Sequence, residues 1–68
     1  MFIGMALRKL RNEREMNQTE LGEEIQVSAT TVSRWESDVM RPNIESLMKL
    51  SAFFGVSLEE LASGEVAK

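Results

Sequence analysis

Gln18-Thr19-Glu20-Leu21-Gly22-Glu23-Glu24-Ile25-Gln26-Val27-Ser28-Ala29-Thr30-Thr31-Val32-Ser33-Arg34-Trp35-Glu36-Ser37 reads as two short helices around a tight turn. Leu21 and Ile25 stand four apart and Val32 and Trp35 three apart, so each half turns one apolar face inward at helical spacing. Asn17 just ahead carries an N-capping side chain, and Glu20 three residues on completes a capping-box pair. That opens a helix over residues 18–25. Gln26 and Val27 form the connection, and Ser28 caps a second helix over residues 29–36. Gly22 leaves room for another helix to approach closely. Two helices joined this tightly cross at a steep angle, locked by Leu21, Ile25, Val27, Val32 and Trp35. The second can then project into a DNA major groove while the first bridges the backbone.

The flanking sequence continues the helical pattern. Ile3, Ala6, Leu7 and Leu10 follow i, i+3, i+4, i+7 spacing, which predicts a first helix over residues 3–14. The second helix of the central pair must stop before Met40-Arg41-Pro42, because proline disfavours helical geometry in the residue ahead of it. Asn43 caps a fourth helix over residues 44–54, whose apolar face is predicted to hold Ile44, Leu47, Met48, Leu50 and Phe54, with Gly55 as its C-terminal stop. Ser57-Leu58-Glu59-Glu60 is a capping box for a last helix over residues 58–62, closed by Gly64. No segment alternates apolar and polar residues as a strand does. The expectation is one all-α domain over residues 1–68, a compact bundle of five short helices.

Composition narrows the functions open to such a domain. The chain has 68 residues with no Cys and no His, which removes disulfides, thiolate or imidazole metal sites and catalysis by either side chain. No nucleophile–base pair or phosphate-cradling glycine loop stands in the sequence, so we expect no enzyme activity, no metal, no cofactor and no small-molecule substrate. Glu23-Glu24 and Glu59-Glu60 read as solvated faces, since no second group divides acid and base roles with them. The apolar runs are far shorter than the roughly 20 residues a bilayer span needs. The N-terminus places its basic residues after the apolar ones, unlike a signal peptide. A cytoplasmic protein with no membrane partner is therefore expected. The formal net charge is −3, from eight basic and eleven acidic residues. Residues 1–34 balance five of each sign, whereas residues 35–68 hold three basic and six acidic. Attraction to nucleic acid must then come from a local surface and not from bulk charge.

Several stretches together resemble the Cro/C1-type repressor family of bacteria and phages, also called the Xre type. They are Leu7-Arg8-Lys9-Leu10-Arg11, Asn17-Gln18-Thr19-Glu20-Leu21-Gly22, Val27-Ser28, Thr31-Val32-Ser33-Arg34-Trp35-Glu36, Arg41-Pro42-Asn43, Leu47-Met48-Lys49-Leu50 and Phe54-Gly55-Val56-Ser57-Leu58. The resemblance covers residues 5–61. It implies a lambda-repressor-like DNA-binding domain in which residues 29–36 form the recognition helix. It further implies that Ala29, Thr30, Ser33 and Arg34 meet base edges, with Arg34 suited to bidentate contact with guanine. Gln18, Ser28, Ser37 and Arg41 would contact phosphates, and Arg11 with Glu36 would form a structural ion pair. The function so implied is sequence-specific double-stranded DNA binding as a transcriptional regulator of repressor type. A homodimer on a palindromic operator follows, with Phe53, Val56, Leu58 and Leu61 as candidates for either its interface or the core.

Two residues depart from the family pattern. Gln26 occupies a turn position usually held by glycine, where a left-handed backbone is strained for any other residue. Asp38 occupies a loop position that often holds glycine or a basic residue, and a carboxylate near phosphate costs affinity. Blander roles stand beside the sharp ones: Arg34 as a phosphate contact or solvated residue, Gln18 as an ordinary first-turn polar residue, and Arg8, Lys9 and Arg14 as solubilising charges. Trp35 falls on the same face as Val32 and is expected in the core. A protein–protein module on the same scaffold, such as an antitoxin or antirepressor, is the alternative function.

Overall fold

The computed structural model describes residues 3–63. Five helices follow in order: α1 (Gly4–Glu13), α2 (Gln18–Ile25), α3 (Ala29–Glu36), α4 (Ile44–Phe54) and α5 (Leu58–Ser63). Ile3 and Arg14, expected inside the first helix, are its caps. The last helix runs one residue further than expected, and Gly64 lies outside the described residues. No strand occurs among the described residues.

Most helix starts follow from local side-chain chemistry. Asn17 Oδ1 accepts the Glu20 backbone N–H at 2.7 Å, and Glu20 Oε1 accepts the Asn17 N–H at 2.9 Å. Ser57 and Glu60 repeat that reciprocal pair at α5, both bonds at 2.9 Å. Ser28 accepts from Thr31 N–H and Asn43 from Ser46 N–H, capping α3 and α4. Each such bond satisfies a backbone donor that the helix itself leaves unpaired. At the far end of α4, Gly55 takes the left-handed conformation and donates to Ser51 O.

The core gathers Leu7 and Leu10 from α1, Leu21 and Ile25 from α2, Val32 and Trp35 from α3, Leu50 and Phe54 from α4, and Leu61 from α5. α3 packs against both α2 and α1, while α4 holds α5 and α2. Ile44 and Met48 are not on the inner face of α4 as expected: they are 65 % and 57 % exposed. The buried stripe runs through Leu47, Leu50 and Phe54. At about 100° per residue, Ile44 lies roughly a quarter-turn from that stripe and Met48 about a third of a turn. Leu61 is wholly buried and belongs to the core, and Leu58 is exposed. Phe53 is half-buried, edge-on to Phe54, and lies under the Arg14 guanidinium at 5.0 Å from its ring centre. Arg14 also donates to Phe53 O at 3.1 Å, so it ties the end of α1 to α4 and is more than a solubilising charge.

The turn between α2 and α3 combines a glycine and a strained residue. A Cβ at Gly22 would sit 2.5 Å from the Val27 carbonyl oxygen, so the close neighbour is the backbone of the turn and not a second helix. Val27 N–H in turn donates to Gly22 O at 2.8 Å. Gln26 adopts φ 71°, ψ 45°, the left-handed conformation a glycine would take without cost. Relieving that strain, less the entropy a glycine adds to the unfolded chain, should make Gln26→Gly more stable by about 0.5–1 kcal/mol. The thermal midpoint then rises by about 2–8 °C. Gly22→Ala should move it the other way. Calorimetry of both variants checks this, and an unchanged or lowered midpoint for Gln26→Gly refutes the strain.

Candidate nucleic-acid interface

Thr30, Ser33, Arg34 and Ser37 recur at i, i+3, i+4 and i+7, which puts them on one face of α3 and its C-cap. All four are exposed, while Val32, Trp35 and Glu36 on the opposite side are buried. Ala29 is half-buried in the first turn of the same helix, and Ser28 and Arg41 are exposed at its two approaches. Among the described residues no partner engages the guanidinium of Arg34 or Arg41, so both are free to meet a ligand. The Ser37 hydroxyl is held within the helix end, donating to Ser33 O at 3.0 Å. Ser28 Oγ accepts from Thr31 N–H at 3.1 Å and lies 3.0 Å from Thr31 Oγ1.

This row is held in place from behind by the Glu36 carboxylate, whose residue is only 4 % exposed. Arg11 donates to it through two nitrogens, Nε to Oε2 at 2.6 Å and Nη2 to Oε1 at 2.9 Å. Gln18 Nε2 donates to Oε1 at 3.1 Å, and Arg8 Nε stands 3.5 Å from the same oxygen. Arg11 Nη1 is taken up by the Met16 carbonyl at 2.8 Å. One carboxylate therefore joins α1, α2 and α3. The Arg11–Glu36 pair was implied by the family resemblance; the Gln18 contact was not. Gln18 was read as a phosphate ligand, and its amide here also has an internal task that no local pattern announces. Burial pushes the Glu36 carboxyl up, but the hydrogen bonds from Arg11 and Gln18 and the nearby positive charges more than offset that and hold it below its ordinary value. The Arg11 guanidinium is raised in turn by its bond to Glu36.

The described residues hold no group of three or more His, Cys, Asp or Glu able to bind a metal. No described helix is long and apolar enough to cross a membrane. Away from α3, the outward faces of α2 and α5 expose Glu20, Glu23, Glu24 and Glu59.

Known proteins share this architecture. A helix-turn-helix family matches residues 7–61. The transcriptional activator BcrR of Enterococcus faecalis is 46 % identical over 59 residues, which are 87 % of this chain and 29 % of that protein. The cryptic phage CTXphi transcriptional repressor RstR of Vibrio cholerae is 39 % identical over 57 residues, 84 % of this chain and 51 % of that protein. The chain thus spans about half the length of one of these relatives and under a third of the other. Among solved structures, the P22 c2 repressor in complex with a synthetic operator superposes with a TM-score of 0.88 at 31 % identity, covering 96 % of this chain and 98 % of that one. The solution structure of the P22 c2 DNA-binding domain gives 0.86 at 30 % identity, covering 98 % and 88 %.

Removing one partner of a buried pair costs about 3–5 kcal/mol, against a total of about 3–10 kcal/mol for a domain this size. Glu36→Ala should therefore remove about a third or more of the stability, read as a lowered urea midpoint by circular dichroism. The folded state holds the Glu36 proton less tightly than the unfolded chain. Its contribution is therefore complete above the ordinary glutamate value of about 4.3 and is lost as pH falls through the lower folded value. Urea midpoints should fall below that pH, and more gently in Glu36→Gln. Identical acid slopes for the two proteins would refute the assignment.

Proposed function

The chain belongs to the Cro/C1-type helix-turn-helix family, and on that premise we propose that it is a sequence-specific double-stranded DNA-binding transcriptional regulator. The observation that carries this is the exposed row Thr30, Ser33, Arg34 and Ser37 on α3, backed by the buried Glu36 node. α3 enters the major groove. Ala29, Thr30, Ser33 and Arg34 meet base edges there, and Arg34 reads a guanine through its two parallel donors. Gln18, Ser28 and Arg41 hold the phosphates on either side, Ser37 joins them by turning its hydroxyl from Ser33 O, and the N-termini of α2 and α3 present backbone N–H groups.

Regulation is by repression. What supports this is the likeness to the phage repressor RstR and to the P22 c2 repressor. The activator BcrR matches over 29 % of its length, so most of that protein has no counterpart in this alignment. The function is binding and not catalysis, and it is exercised in the cytoplasm where the DNA lies. Two copies read a palindrome whose half-sites stand about 34 Å apart or a multiple of that, because one recognition helix covers only a few base pairs. Leu58, exposed at the start of α5, and the half-buried Val56 remain available for contact between the copies.

Selection from a random duplex pool followed by a salt titration tests the proposal. A selected duplex should bind with log affinity falling linearly in log salt. Arg34→Ala should lose about 1–3 kcal/mol of discrimination at one base position, whereas Gln18→Ala should weaken all sequences alike. Failure to enrich any duplex at low salt sinks the reading. Sedimentation on the selected palindrome should show two chains per duplex, and a single chain would refute the dimer.

A further inference from the structure

Asp38 was read from the sequence as a charge that opposes phosphate binding, but its side chain is used inside the molecule. It stands in the turn after α3 in the left-handed conformation, φ 62°. Its Oδ1 accepts the backbone N–H of Gly4 at 3.0 Å, 34 residues away. Ile3, the residue ahead of α1, provides no side-chain cap of its own. Asp38 is therefore the cap of α1, and its negative charge lies at the positive end of that helix. Gly4 makes the approach possible: a Cβ there would overlap the Glu36 carbonyl oxygen and stand 3.0 Å from Asp38 Oδ1. The same turn is drawn together by its backbone. Asp38 N–H donates to Trp35 O at 3.2 Å, and the N–H groups of Val39 and Met40 converge on Arg34 O at 3.0 and 3.2 Å. Ile3, Asp38, Arg41 and Pro42 line one small pocket at this junction.

From this geometry we infer that Asp38 is a positioning residue for DNA binding. It fastens residues 37–41, with Ser37 and Arg41, to the start of α1, so that both phosphate ligands are ordered before DNA arrives. The inference rests on the DNA-binding reading above. It reverses the sign expected from charge alone: removing this acceptor, and the negative charge with it, weakens binding to a polyanion. The acceptor matters more than the charge.

Two substitutions separate acceptor from charge. Asp38→Asn keeps an acceptor and a residue that tolerates the left-handed backbone, but drops the charge. Asp38→Gly suits that backbone better still and removes acceptor and charge together. On the duplex selected by the wild type, Asp38→Asn should bind within about twofold of it. Asp38→Gly should bind about tenfold more weakly, the cost of ordering one residue's backbone at the moment of binding. Its log–log salt slope should match the wild type, since the same phosphate contacts form once the turn is ordered. In the free protein, hydrogen exchange at the Gly4 amide should be slow in the wild type and Asp38→Asn and faster in Asp38→Gly. Tighter binding by both variants, or equal weakening of both, overturns the inference. So does unchanged Gly4 exchange in Asp38→Gly. A wild type that selects no duplex overturns the DNA-binding reading and this role with it; Gly4 exchange then still shows whether the tie itself exists, so the two failures are distinguishable.

Discussion

The Glu36 carboxylate is the point on which the arrangement of α1, α2 and α3 depends. It is buried, and a buried carboxylate is stable only if its lone pairs are taken. Arg11 and Gln18 take them, from two different helices, with Arg8 adding charge at the solvent edge. An apolar cluster of similar volume could match its energy, since buried ion pairs rarely stabilise more than good packing does. Packing alone would tolerate small rotations of one helix on another. A fork of directional bonds does not, and Glu36 is the last residue of the helix whose opposite face carries Thr30, Ser33 and Arg34. The orientation of that face is thus fixed by chemistry on its hidden side.

Around this node the chain turns three times through left-handed residues that are not glycine: Glu15, Gln26 and Asp38. Each costs backbone strain, and each stands at a corner of the α1–α2–α3 unit. Asp38 gives something back by capping α1; the Gln26 side chain accepts a long 3.4 Å contact from Lys49. Tight turns keep the connections between these three helices short. The domain accepts local strain in return for a geometry that longer, relaxed connections would blur.

Features encoded by near neighbours were legible in the sequence. The capping boxes at Asn17 and Ser57 and the caps at Ser28 and Asn43 act over three residues, and all place helix starts correctly. Core faces at helical spacing in α1, α2 and α3 were legible for the same reason. What escaped depends on partners distant along the chain. Asp38 meets Gly4 across 34 positions, and Gln18 meets Glu36 across 18. Arg14 meets Phe53 across 39. Ile44 and Met48 escaped differently: their spacing permits burial, but α2 and α5 cover only the stripe through Leu47, Leu50 and Phe54. Of the proposed site, the common exposed face of the α3 residues could be read in advance, whereas the internal duties of Gln18 and Asp38 could not.

The exposed glutamates on α2 and α5 bear on how the domain meets its target over time. A molecule carrying Glu20, Glu23, Glu24 and Glu59 outward is repelled by DNA when those faces lead. Collisions through the wrong face end quickly, and the chain does not dwell on unrelated sequence as a uniformly basic domain would. Under the proposed function, its search is a series of brief, oriented encounters. Slower capture at each collision is offset by less time lost on the competing sites that outnumber the operator.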